Sequence, residues 1–270
     1  MIRRCRPLLG TFVEITADAT DAIEAGFAAI ARIHELMSAH EQASELSRIN
    51  RVAHREPVEV SAETREVLER ALSWWRMSNG LFDIVAAGAC SLADGRIPGH
   101  SDQCGPVETD SSALIIQDAQ VRLAAPACLD LDGIAKGYAV DRAVAAMRSG
   151  GASRGLVNAG GDLFGFGHEP WSVTVVDPHT RVPFVEVELR DEALATSAWI
   201  DGSAAHLPGP SRWTSVTVRA PNACDADALT KIVWAMPCNV TELLDRAGAS
   251  AFGIRRDGVV EEIRRQAIAA

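Results

Sequence analysis

The sequence predicts an α+β fold: a mixed, largely antiparallel sheet core with flanking helices. Strand-like and helix-like runs follow one another without strict β–α–β alternation, which argues against a doubly wound parallel sheet. Hairpin-like pairs of strand runs recur, and no internal repeat or low-complexity tract interrupts them. A chain of 270 residues that is 47% hydrophobic has ample material for a buried core without disulfide staples. The reading is one domain over residues 1–270, with room for two subdomains and a cleft between them.

Taken in order, residues 8–16 (LLGTFVEIT) alternate like a strand, and Asp18 or Asp21 can cap an alanine-rich helix reaching about His40. Ser61 opens a helix running through roughly Met77, which Asn79-Gly80 stops. Residues 88–112 are rich in turn formers and poor in periodicity, and read as a long loop. A hairpin follows, ALIIQD with VRLAA, and then the segment DLDGIAKGYAVD at 130–141 leads into a helix over 134–148 closed by Gly150-Gly151. Strands are expected at GLVNA, WSVTVVD, FVEVEL and WTSVTVRA, with helices over about 225–236 and 241–247 and a final hairpin, SAFGIRRDGVVEEI.

Composition and motifs exclude several functions. A net charge of −10 supplies no overall positive field for nucleic acid or an anionic membrane, so an anionic ligand needs a local site. The six cysteines are scattered with no zinc-like spacing, which suits structural thiols in a reducing compartment. The N-terminal apolar run is broken by Gly10 and Glu14, and no segment approaches the ~20 apolar residues of a membrane span, so the expectation is a cytoplasmic protein. His34 and His40 are six residues apart and point to different helix faces, which removes a zincin site. Gly165-Phe166-Gly167 precedes a strand, so it is neither a dinucleotide fingerprint nor a P-loop, and no G-x-S-x-G elbow occurs.

Four segments carry the positive signal. In DLDGIAKGYAVD a strand ends at Asp130-Leu131, Gly133 allows close backbone approach, and Lys136 stands in the first turn of a helix. Helix amides, a lysine point charge and a glycine suit a phosphate, and a capped helix with a surface lysine is the equally weighted alternative. GLVNAGGDLFGFG ends a strand in Gly160-Gly161-Asp162, which by itself is a turn. SNGLFDI places Phe82 and Asp83 after a helix stop, where an aromatic and a carboxylate can read a planar ring or simply pack. CDADALTKIVWAM sets Asp227 and Lys231 four apart on one helical face, an ordinary helix pair worth about 0.2–0.5 kcal/mol.

Together, in this order, these segments resemble the ApbE-like FAD:protein FMN transferases. LLGTFVEI and MSAHEQASELSRIN match two further family patterns, M-G-T-x-x-x-I and M-S-x-Y/F-x-x-x-S-E-[LI]-S-x-x-N, and the likeness runs from about Leu9 to Met236. The resemblance implies an ApbE-like, T-fold-related architecture. It implies an enzyme of phosphotransferase type that takes FAD as substrate, moves FMN to a threonine of a partner protein with release of AMP, and uses Mg²⁺. A runner-up within the same likeness binds or hydrolyses FAD to FMN and AMP without transfer, and a third reading is a non-catalytic binding module. Carried over residue by residue, Leu9, His40, Leu81, Phe82, Asp83, Asp130 and Lys136 fall at flavin-nucleotide contacts. Gly133 and Asp227 fall at metal ligands, Gly133 through its carbonyl. His206 and Asp130 are the candidate catalytic bases.

The chain departs from the family pattern at three places. The metal-binding threonine expected four residues after Asp227 is Lys231, and Thr230 is one helical step off that face. Two readings follow: Lys231 supplies in covalent form part of the charge that Mg²⁺ brings elsewhere, or Asp132 helps to keep a weaker metal site. His206 leads into Leu207-Pro208-Gly209-Pro210 where the family continues H-x-x-D-P-x-T-G, and His40 replaces a larger stacking ring.

Overall fold

The computed structural model describes residues 1–97, 109–199, 211–235 and 240–264. The chain forms two compact units, one built from residues 1–31 and 136–270 and the other from the inserted residues 32–135.

The first unit is organised on an eight-stranded antiparallel sheet in the order β1-β2-β6-β7-β10-β11-β12-β13. Its strands are β1 (Ile2–Leu8), β2 (Thr11–Ala17), β6 (Gly155–Ala159), β7 (Asp162–Phe166), β10 (Glu192–Ala198), β11 (Trp213–Ala220), β12 (Ser250–Arg255) and β13 (Val260–Arg264). The run predicted as one strand over 8–16 is strand β2 from Thr11 onward, and its first residues form the turn of the β1–β2 hairpin. Leu8 pairs with Thr11 across Leu9 and Gly10, whose φ values of 55° and 70° lie in the left-handed region that two-residue hairpin turns demand. Glycine adopts it freely, whereas a leucine there is held against its preference.

Helix α6 (Ala223–Ala235) packs on β7, β10 and β11, and the alternating inward residues Val216, Val218 and Ala220 of β11 are buried beneath it. On another part of the sheet a two-stranded ribbon, β8 (Trp171–Val176) with β9 (Pro183–Leu189), closes a second small core of Leu163, Val175, Val187, Leu189 and Leu194. Helix α5 (Ala135–Ser149) crosses α6 at Gly137. A Cβ there would lie 2.1 Å from the Ala223 carbonyl oxygen and 2.9 Å from Asp227 Cβ, so only glycine permits the contact. Within DLDGIAKGYAVD, Gly137 is thus a point of close backbone approach. Asp141, one turn further along α5, caps α6 by accepting from the Ala223 and Cys224 amides at 2.7 and 2.9 Å.

The second unit holds a three-stranded sheet, β3 (Val58–Glu59), β5 (Gln120–Leu123) and β4 (Leu114–Gln117), with helices α2 (Glu45–Val52), α3 (Ala62–Met77) and α4 (Ile84–Ala93). Helix α1 (Thr20–Met37) begins in the first unit and ends in the second. Ser61 is the N-cap expected for α3, accepting from the Thr64 amide. Asp83 caps α4, so the loop expected from residue 88 is helical as far as Ala93. Asn50 of α2 pairs both ways with the Leu129 backbone, at 3.0 and 2.8 Å, and ties the segment before Asp130 to the helices. Among the described residues four cysteines, Cys5, Cys90, Cys128 and Cys224, are outside any disulfide, and no helix is long and apolar enough to cross a membrane.

Candidate functional site

In the first unit the structure gathers two carboxylates and two lysines. Asp227 and Lys231 lie four apart on α6, Lys136 is the second residue of α5, and Asp162 is the first residue of β7, just after the Gly160-Gly161 turn. Asp227 is fully buried, and both of its oxygens are engaged. Oδ1 takes the Lys231 ammonium, and Oδ2 accepts the Gly137 amide at 3.2 Å. The Asp227–Lys231 pair is therefore a buried ion pair and not the solvated helix pair that its spacing alone suggests; Lys231 is only 6% exposed. Thr230 faces elsewhere, as the helical step predicts. Its hydroxyl donates to the Asp227 carbonyl at 2.7 Å and meets Ser197 Oγ of β10 at 2.7 Å.

Asp162 is the member that sequence reasoning missed. It opens a strand in which every residue is buried, and its Oδ2 has no hydrogen-bond partner. Burial, and then the Asp227 carboxylate, push its carboxyl up to about 7, against the pull of Lys136 and Lys231. Burial acts the same way on Asp227. There the Lys231 charge, then Lys136, the Lys231 hydrogen bond and the Gly137 amide outweigh it, and the group stays below the ordinary carboxylate value. The legible signal for Asp162 was a carboxylate beginning an otherwise apolar strand, DLFGF.

In the second unit Asp130 is buried in a different environment. Its Oδ1 accepts the Asp132 amide at 2.8 Å and its Oδ2 the Ser91 hydroxyl, while Arg96 Nη1 stands 3.9 Å away. Burial and the Asp132 charge raise its carboxyl above the usual range. Gly133 lies in the turn that precedes α5. Asp83 spends its carboxylate on the α4 cap and on Ser111, whose hydroxyl donates to Oδ1 at 2.7 Å. Phe82 is buried, Leu81 is exposed, and His40 lies in the exposed stretch before α2. Leu9 sits at the β1–β2 hairpin tip of the first unit. His206 lies outside the described residues.

The donor set fits a divalent cation poorly. Each Asp227 oxygen already accepts a hydrogen bond, the side chain at 231 is itself a cation, and among the described residues no three His, Cys, Asp or Glu side chains group as metal ligands.

Structures of the same fold include the ApbE protein of Thermotoga maritima, 26% identical with a TM-score of 0.84 over 97% of this chain and 96% of that one. The fold is also that of the flavin transferase ApbE from Vibrio cholerae, 22% identical with a TM-score of 0.82 over 97% of this chain and 96% of the other. The ApbE family model matches residues 9–252, and the chain belongs to the ApbE family. Among sequence relatives, the FAD:protein FMN transferase of Treponema pallidum is 26% identical over 255 residues, 79% of this chain and 70% of that protein. The enzyme of the same name from Vibrio cholerae is 28% identical over 181 residues, 61% of this chain and 54% of its own length.

Proposed function

We propose that the chain is an FAD:protein FMN transferase. It binds FAD, breaks the bond between the FMN phosphorus and the oxygen bridging to AMP, and joins FMN to a threonine hydroxyl of another protein. AMP leaves, and the hydroxyl proton passes to a base. The names of its relatives support this reading, and the acid–lysine network of α5, α6 and β7 carries it. Two lysines face one firmly ionised carboxylate and one that is half protonated near neutrality, so the cluster can turn net positive for a pyrophosphate. In a buried setting such a charge is worth more than on the surface.

Lys136, in the first turn of α5, serves as the phosphate contact, with helix amides beside it. Leu9, His40, Leu81, Phe82, Asp83 and Asp130 are assigned to the rest of FAD. Asp83 acts by holding its loop, because its carboxylate is committed to the α4 cap. Asp130 and His206 are the candidate bases, and burial beside the Asp132 charge raises the Asp130 carboxyl, which makes it a better proton acceptor than an ordinary carboxylate. The transfer needs the two reacting oxygens held in line and the phosphoryl charge neutralised, and no step is assigned to Mg²⁺ at Asp227.

The test incubates the purified chain with FAD and candidate acceptor proteins carrying an exposed threonine. AMP release together with an FMN mass gain on an acceptor is the expected result. Free FMN and AMP without labelled protein would make the chain a hydrolase, and FAD left intact with every acceptor would defeat both enzyme readings.

A further inference from the structure

We propose that the Lys231 ammonium occupies the position of a divalent cation at Asp227, so that the phosphate site of this chain works without a bound metal ion. The inference rests on the transferase reading for its purpose, but its evidence is the local geometry. Lys231 is buried, and its ammonium lies against Asp227 Oδ1, while Oδ2 is taken by the Gly137 amide at 3.2 Å. The nearest hydroxyl on the same helix, Thr230, is turned to Ser197 at 2.7 Å and to the Asp227 carbonyl. A Mg²⁺ ion asks for about six oxygens in near-octahedral array. Here it would have to displace a buried ammonium or approach it against direct repulsion.

The position is nevertheless built for positive charge. Asp162 Oδ2, buried and without a partner, belongs to the same electrostatic cluster as Asp227, Lys136 and Lys231. A lysine tethered by its own helix supplies one charge permanently, with no ligand to load and no dependence on free metal. Replacing it with threonine removes the competing cation, frees Asp227 Oδ1 and adds a hydroxyl oxygen four residues along the same face. With Asp162 Oδ2 as a further acceptor, Lys231→Thr should turn a metal-free site into a metal-binding one.

The experiment measures Mn²⁺ binding to the full chain by electron paramagnetic resonance and calorimetry, without FAD. The wild-type protein should show no saturable binding at Asp227. Lys231→Thr should bind Mn²⁺ about tenfold or more tightly than wild type, and adding Asp227→Ala should abolish the gain. Saturable wild-type binding that is lost in Asp227→Ala would overturn the proposal, as would a folded Lys231→Thr protein that gains nothing. Lys231→Gln, which keeps a polar chain of similar length, replaces the threonine variant if thermal melting shows that variant unfolded; the wild-type titration needs no variant at all. FAD binding, followed separately by flavin fluorescence, tells the two ideas apart: loss of all FAD binding defeats the transferase reading and leaves the Mn²⁺ result standing.

Discussion

Asp227 and Asp130 are both buried carboxylates, each within its own unit, yet their surroundings drive them in opposite directions. Asp227 has a lysine ammonium and a backbone amide on its two oxygens and stays ionised. Asp130 has a hydroxyl and an amide on its oxygens, a guanidinium at 3.9 Å and a like charge at Asp132, and its carboxyl is raised above the usual range. Burial is the leading influence on both, so it is the cation in contact that decides the outcome. Asp162 makes the same point within the first unit: sharing the cluster but lacking a partner for Oδ2, it is pushed up to about 7.

The largest effect expected from this contrast is at the buried ion pair. Asp227→Ala leaves the Lys231 ammonium without its partner and should cost roughly 3–5 kcal/mol in urea denaturation. A cost near that of a surface pair would mean that the ammonium reaches water. Next, Asp162→Asn should stabilise the chain in a pH-dependent way. The folded carboxyl titrates near 7 and the unfolded one near 3.8, so the wild type carries no penalty below about pH 4 and loses stability as pH rises from there to about 7. The gain from asparagine should thus be absent at pH 4 and reach on the order of 2–4 kcal/mol at pH 8. A gain of equal size at both pH values would remove titration as its cause.

Gly137→Ala tests the crossing that presents the amide to Asp227. A Cβ 2.1 Å from the Ala223 carbonyl oxygen forces α5 and α6 apart, with an expected cost of about 1–3 kcal/mol by thermal unfolding. The smallest effect belongs to the other unit. Asp130→Asn keeps a neutral group able to meet Ser91 and the Asp132 amide, and should cost about 1 kcal/mol. If it costs as much as Asp227→Ala, the two carboxylates are not held differently after all.

Much of the architecture is legible from local signals. Ser61 and Gly150-Gly151 mark helix ends, and the hairpins at 114–123 and 250–264 follow from alternation around turn residues. The strand β10, EALATSA, was hidden because alanine and serine carry little β preference, and its state is set by pairing with β7 and β11. Helix α2 sits in a stretch read only for its motif, although Ser44 followed by Glu45 was a capping signal. At the site, the i, i+4 spacing of Asp227 and Lys231 is a property of the helix and was readable. Their burial, and the arrival of Asp162 and Gly137 beside them, depend on how β7 and α5 meet α6, which no local pattern encodes.

The acid–lysine cluster is the proposed place where the FAD pyrophosphate binds. The most direct measurement is the FAD binding isotherm of the wild-type chain beside Lys136→Met, with circular dichroism confirming that both are folded. Removing this one cation should weaken FAD binding about tenfold or more. Equal affinity in the two proteins would contradict it.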